Sequence, residues 1–246
     1  MRYLLLSDIH SNWEALQAVL QDAAGEYDAI LCCGDLVGYC ADPNRVIDWC
    51  RANLKAIVRG NHDKVVAGLD GLEWFNPIAQ AASLWTRGEL SPANLEYLTN
   101  LPRGPISVDD FVLAHGAPID EDEYLTDIFE ARQAFNYVER AVTFVGHTHL
   151  QGGFRLETRN VEKIGRPDLH SSELLLDIKP DSWYLVNPGS VGQPRDRDSR
   201  AAYAIHDSGQ RLVAFRRVAY DVGTTQAKIR SAGLPDSLAH RLASGR

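Results

Sequence analysis

The stretch RYLLLSDIHSN, residues 2–12, decides the fold. Arg2–Ser7 is a short apolar run, which reads as a buried strand. Asp8 and His10 follow it at once. Asn12 can then cap a helix whose Trp13, Leu16, Val19, Leu20 and Ala23 recur at helical spacing. The same order returns along the chain. Ala29–Cys33 reads as a strand and leads to Asp35 in CCGDLVGY; Lys55–Val58 leads to Asn61 and His62 in RGNHDK. Phe111–His115 ends on the histidine of LAHGAP, and Val142–Gly146 leads to His147 and His149 in VGHTH. Pro43 opens a helix at N1 with Val46, Ile47, Cys50 and Leu54 on one face. Strand and helix in alternation imply parallel pairing with helices packed on the sheet, so the fold class is α/β. Open sheets of this kind gather their ligands at the C-terminal ends of the strands.

Carboxylate, amide oxygen and imidazole are the donors that suit divalent first-row metals, and none of them is soft. Asp8 and His10 are two residues apart and face one side of an extended strand end, so one metal can take both. Gly34 lets the backbone come close at Asp35, whose carboxylate is placed to bridge two ions. Asn61 adds a neutral oxygen, His115 and His147 complete a second metal, and His149 can reach back to the first. Seven such residues exceed the needs of one ion. Two metals together point to phosphate-ester chemistry.

Composition sets the bounds. The chain has 246 residues, 45% hydrophobic and 24% charged, as expected of a globular protein large enough to need no disulfide staples. No basic leader with a cleavage site precedes the first strand, and no apolar run approaches the roughly 18 residues that span a bilayer, so a cytoplasmic location without a membrane partner is expected. Cys32, Cys33, Cys40 and Cys50 lack metal-finger spacing and read as buried thiols. The net charge of −8 argues against a general affinity for nucleic acid. A local basic patch at Arg195, Arg197 and Arg200, and the acidic run Asp120–Glu123, both read as solvated loops, although an acidic run bordering the cleft would repel polyanions and favour small substrates.

The remaining segments add detail. Residues 65–101 are helical in character, with Ser91 and Pro92 as a cap-and-start signal, and form an insertion that can serve as a lid, a substrate wall or plain packing. A helix is expected near Ile128–Val138. Arg159–Ser172 is polar and reads as a loop. From about residue 183 the chain is β-rich: Trp183–Val186, Ala201–His206 and Arg211–Val218 read as strands, with a turn at Asp207–Gln210. Residues 224–246 are weakly helical. No repeat or linker divides the chain, so residues 1–246 are expected to form a single domain.

The series Asp8-x-His10, Gly34-Asp35, Gly60-Asn61-His62-Asp63, His115 and Gly146-His147-x-His149 resembles the calcineurin-like metallophosphoesterases. The resemblance runs from Met1 to about Tyr220. Each motif alone is weak; the combination is specific. The stretch NPGSVGQPR, ending at Arg195, and Gly34–Tyr39 followed by Asp42-Pro43-Asn44 resemble the small bacterial and archaeal phosphodiesterase branch. The resemblance implies two mixed β-sheets sandwiched between helices, in four layers, with a dinuclear site at the sheet edge. It also implies that His62 contacts the phosphate and protonates the leaving oxygen. Asp63 either orients His62 or serves as a helix cap. Phosphoprotein phosphatases and the symmetric dinucleoside tetraphosphatases carry an arginine soon after Gly-Asp, whereas this chain reads Leu36-Val37-Gly38-Tyr39.

The expected activity is therefore hydrolysis of small phosphodiesters by a metal-activated hydroxide. Two divalent ions serve as cofactors, with Mn, Fe, Zn, Ni and Mg all suited to the ligands. Arg195 is a candidate second clamp on phosphate. A metal-dependent nuclease and a phosphomonoesterase or phosphoprotein phosphatase are the rivals. A non-catalytic scaffold of the same fold, like the retromer subunit that has lost the catalytic histidine, is disfavoured because His62 and every ligand are present.

Overall fold

In the computed structural model, which describes residues 1–246, strand β1 (Arg2–Leu6) lies at the centre of the molecule. Its alternate side chains feed two different cores: Tyr3 and Leu5 point one way, Leu4 and Leu6 the other, and all four are buried. A strand covered on both faces needs apolar residues at every position, which is why this run shows no period of two. β1 pairs in parallel with β2 (Ala29–Cys32), and β2 with β3 (Ala56–Ile57). On its other edge β1 meets β11 (Ala201–Asp207) antiparallel, followed by β12 (Leu212–Val218) and β9 (Glu173–Asp177).

The second sheet has the order β4 (Ile106–Val108), β5 (Phe111–Leu113), β6 (Val142–Phe144), β10 (Ser182–Asn187), β7 (Gly152–Glu157), β8 (Asn160–Ile164). β5, β6 and β10 run parallel, and the outer pairs are antiparallel. Tyr3, Leu5, Phe111, Phe144, Tyr184 and Phe215 fill the space between the two sheets. Outside the first sheet lie α1 (Trp13–Asp22), α2 (Pro43–Asn53) and α5 (Pro92–Thr99). Outside the second lies α6 (Ile128–Ala134), continued by a single 3-10 turn. The result is the expected sandwich of two mixed sheets between helices, in one domain.

The insertion resolves into α3 (Asn61–Val66), α4 (Pro77–Glu89) and α5. Asn76 and Ser91 accept hydrogen bonds from the first turns of α4 and α5, each with proline next in sequence. The C-terminal segment forms two helices, α7 (Val222–Ser231) and α8 (Asp236–Ser244), broken at Gly233 and Pro235. Ile229, Leu238 and Leu242 pack with Tyr39 and Ala79, so the tail closes over the loop that follows β2.

Two expectations fail in the second sheet. Arg159–Ser172 is not wholly a loop, because Asn160–Ile164 is β8, paired residue for residue with β7. The β-rich part begins at Gly152, not near residue 183. β7 lies inside its sheet, between β10 and β8, and its two glycines and Arg155 leave no apolar run, whereas the first miss belongs to the edge. Only Val161 is buried in β8, and β9 is open to solvent, so neither edge strand shows the apolar run that marked the central ones.

Phe144 is fully buried, stands edge-on to Phe111 and ends the strand that leads to His147 and His149. Phe144→Ala should lower unfolding free energy by about 3–5 kcal/mol, read from chemical denaturation. A loss below about 1 kcal/mol would mean that the space between the sheets is not packed as described.

Candidate metal centre

Five loops meet at one end of the sandwich, and backbone hydrogen bonds tie them together. Asp8 N–H donates to Gly34 O at 2.9 Å, His10 N–H to Asp35 O at 3.1 Å, Gly146 N–H to His115 O at 2.7 Å, and Gly192 N–H to Asp8 O at 2.9 Å. Glycine is required at two of these crossings. A side chain on Gly192 would collide with the Ile9 carbonyl, and one on Gly146 with the Ser7 hydroxyl. The stretch Asn187–Arg195 thus acts as a strap that holds the Asp8 loop.

All seven candidate ligands lie at this end. Asp8, His10, Asp35 and His149 bring one donor atom each within 4.8 Å of one another, as do Asp35, His115 and His147, and all six residues are buried. Asn61 joins the second group, with Oδ1 3.2 Å from His115 Nε2. Asp35 belongs to both. Its Oδ1 accepts the His62 N–H at 2.9 Å. Its Oδ2 is buried without a hydrogen-bond partner, 3.7 Å from His10 Nε2 and 3.5 Å from His115 Nε2.

The imidazoles show that the donor set fits a cation. His10 Nδ1 lies 2.8 Å from Val37 O, and His149 Nδ1 lies 2.6 Å from Gln193 O, so both Nδ1 atoms carry the proton and donate it. Burial holds both rings well below the usual histidine range, and they are neutral. Their Nε2 lone pairs then face each other at 3.1 Å with no hydrogen between them. A positive ion between the two nitrogens removes that conflict. His115 Nδ1 is likewise fixed on Cys33 O at 2.7 Å. Burial pushes its imidazole down, but Asp35, Asp8 and the Cys33 carbonyl together outweigh this and raise it to about 10. The Asp35 pocket thus demands positive charge. His147 Nε2 faces the Asp122 carbonyl at 3.1 Å, which leaves Nδ1 as its ligand atom.

Asp8, His10, Asp35, His147 and His149 all have φ between 49° and 67°. This left-handed region costs roughly 1–2 kcal/mol per non-glycine residue, so the loops hold their donors against a backbone preference.

His62 lies beside this centre, its ring 4.9 Å from that of His10 and 4.5 Å from those of Tyr39 and Phe75. Burial pushes its imidazole down to about 4. Its Nδ1 has no hydrogen-bond partner. Asp63 is not directed at His62. Its carboxylate accepts backbone N–H groups from Leu36 at 2.8 Å, Val37 at 3.2 Å and Gly60 at 3.0 Å, and so shapes the loop that carries Asp35. Arg195 reaches the site: its Nη2 donates to Tyr39 Oη at 3.2 Å, and its Nε is buried without a partner. Arg197 is exposed and Arg200 is spent on Asp198 at 2.6 Å, so the three arginines form no patch. The acidic run is only partly solvated, because Glu121 is buried against Arg59 at 2.7 Å.

Sequence reasoning missed Tyr124, stacked on His147 with ring centroids 3.9 Å apart, and the carbonyls that orient the imidazoles. Backbone acceptors leave no mark in a sequence. Tyr39 was readable only as part of a motif, not as the partner of Arg195.

A two-sheet sandwich with buried Asp and His donors at the strand ends defines a metallophosphoesterase. The chain belongs to the calcineurin-like phosphoesterase superfamily, whose domain model matches residues 1–211. That membership makes it a phosphate-ester hydrolase of a superfamily that uses divalent metals. A metallophosphoesterase from Sphaerobacter thermophilus is 38% identical, with a TM-score of 0.85 over 100% of this chain and 99% of that one. A protein from Methanocaldococcus jannaschii, described as uncharacterized, is 38% identical over 98% of this chain and 97% of its own length. A hypothetical protein from Pyrococcus horikoshii is 20% identical and shares the fold, with a TM-score of 0.75 over 100% and 98% of the two chains.

Asp35→Asn removes the charge from the oxygen common to both donor groups. Bound metal, measured by elemental analysis of protein reconstituted with Mn²⁺, should fall to less than half of the wild-type content, with a larger loss than for Asn61→Ala. Wild-type metal content in Asp35→Asn would show that this carboxylate does not link the two groups.

Proposed function

We propose that the protein is a phosphodiesterase for small substrates that works with two divalent ions. Asp8, His10, Asp35 and His149 would hold one ion, and Asp35, Asn61, His115 and His147 the other, with Asp35 as the bridge. The observation behind this reading is the unpartnered Asp35 Oδ2 between His10 and His115, a single anionic oxygen within reach of both donor groups. When bound, the ions would neutralise charge on the phosphoryl oxygens and make water acidic enough to attack phosphorus near neutral pH.

The chain's own residues supply the rest. His62 stands where the donor groups open into the cleft, and in our reading its ring donates a hydrogen bond to the leaving oxygen. Asp63 holds the Asp35 loop rather than the His62 ring. Arg195 approaches from the side of His149 and serves as a clamp on the phosphate. A preference for diesters rests on charge. A monoester dianion or a polyanion calls for further cations, yet Leu36–Tyr39 holds no arginine and the chain carries −8 overall. Mn, Fe, Zn, Ni and Mg all suit the oxygen and nitrogen donors.

The test compares kcat/KM for a small diester, the matching monoester and single-stranded DNA, on protein reconstituted with each metal and after chelation. The diester should be turned over best, and chelation should abolish activity. A preference for DNA with steep salt dependence would support a nuclease instead, and a preference for the monoester a phosphatase.

His62→Ala should keep its metal and lose about 10²–10⁴-fold in kcat, with a smaller loss for diesters of acidic alcohols. Loss of metal in this variant would make His62 a ligand. An equal loss across leaving groups would remove it from the leaving oxygen.

A further inference from the structure

A cleft of about 330 Å³ opens directly off the metal centre. Asn61, His62 and His147 form its inner end, and Trp74 and Phe75, from the connection between α3 and α4, line it further out. Phe75 packs on the His62 ring, so the cleft begins where the leaving oxygen is placed. Trp74 is 85% exposed, more than any other large apolar side chain of this molecule. A tryptophan left this far in water adds nothing to the core, and its face is free for a ligand.

Charge narrows the occupant. Lys64 is the only lysine or arginine in the lining, and its Nζ is already held by Asp122 at 2.5 Å and Asp70 at 2.9 Å. The cleft therefore has no free cation, and two carboxylates border it. A second phosphate would be repelled there; a flat uncharged ring would not. The volume lies at the lower end of the ~300–1,000 Å³ usual for small-molecule sites, which suits one nucleoside-sized group and not an oligomer.

We propose that this cleft is the leaving-group subsite and that it takes a nucleoside, its base stacked on Trp74, which makes the substrate class a phosphodiester of a nucleoside. The inference rests on the phosphodiesterase reading and on His62 at the leaving oxygen. In the reaction, a water oxygen bonds to phosphorus as the P–O bond to the nucleoside breaks. One water proton ends on the nucleoside hydroxyl and the other on the phosphomonoester. Trp74 touches only the departing group, so it sets specificity and takes no part in bond making.

The test uses the full-length, metal-loaded protein and the variants Trp74→Ala and Trp74→Phe. Calorimetry measures binding of adenosine. Steady-state kinetics compare a dinucleoside monophosphate with glycerophosphoglycerol, whose leaving alcohol has no ring. Trp74→Ala should weaken adenosine binding and lower kcat/KM for the dinucleoside about 5- to 150-fold, the range expected for one base stacked on an aromatic side chain. Glycerophosphoglycerol turnover should stay within about twofold, and Trp74→Phe should recover most of the loss. The inference is overturned if wild-type protein shows no saturable adenosine binding, if Trp74→Ala binds adenosine as wild type does, or if both diesters lose equally. Adenosine bound through Trp74, with neither diester turned over, would remove the phosphodiesterase reading and leave the nucleoside subsite standing. Diester turnover indifferent to Trp74 would do the reverse.

Discussion

Two neutral imidazole nitrogens face each other at 3.1 Å in the interior of this protein, each with its lone pair toward the other. Nothing in the chain resolves that contact. Burial keeps a proton off both rings. Beside them a carboxylate oxygen is buried without a partner. Unsatisfied buried groups of this kind cost about 1–3 kcal/mol each, more when charged. A globular protein tolerates them only where something outside the chain completes them, and oxygen and nitrogen donors at this spacing select a divalent ion.

The backbone bears a second cost for the same end. Five candidate ligand residues sit in the left-handed region, and a few such residues together rival the roughly 5–15 kcal/mol by which a domain is stable. The fold meets this with cross-ties between loops. Asp63 illustrates it: burial pushes its carboxyl up to about 7, yet it accepts three backbone N–H groups from the Asp35 and Asn61 loops. The sheets contribute rigidity from behind. β1 and β10 send alternate side chains into two cores, so the strands that lead into the site cannot tilt without disturbing both.

Much of this was legible in the sequence, for a physical reason. Central strands are buried on both faces, so Leu4–Leu6 and Phe111–Leu113 appear as unbroken apolar runs, and the polar residues that follow them stand out as candidate ligands. The edge strands β8 and β9 obey no such rule and left no signal. Asp63 and Trp74 show a different limit. An aspartate after a histidine reads equally as its orienting partner or as a cap, and only the positions of Leu36, Val37 and Gly60 decide between them. Trp74 lies in a connection with no periodicity, and its exposure, which is what gives it a use, is a property of the folded surface alone. Glu121 was misread with its neighbours because a run of four acids looks solvated until Arg59, 62 positions earlier, is seen beside it.

The four candidate histidine ligands share one further feature. Each has its second ring nitrogen against a backbone carbonyl, and the four carbonyls belong to Val37, Cys33, Asp122 and Gln193. Such contacts fix the tautomer and aim the free lone pair, and they place the geometry of the centre under the control of main chain rather than side chains. None of the four carbonyls comes from the histidine's own loop. His10 of the first loop is aimed by the second, His115 of the second sheet by the end of β2, and His149 by the strap after β10. A shift in any one loop therefore turns a ligand in another. Ions bound by these groups would be coupled to the packing of both sheets, so the centre would be tight only as a whole.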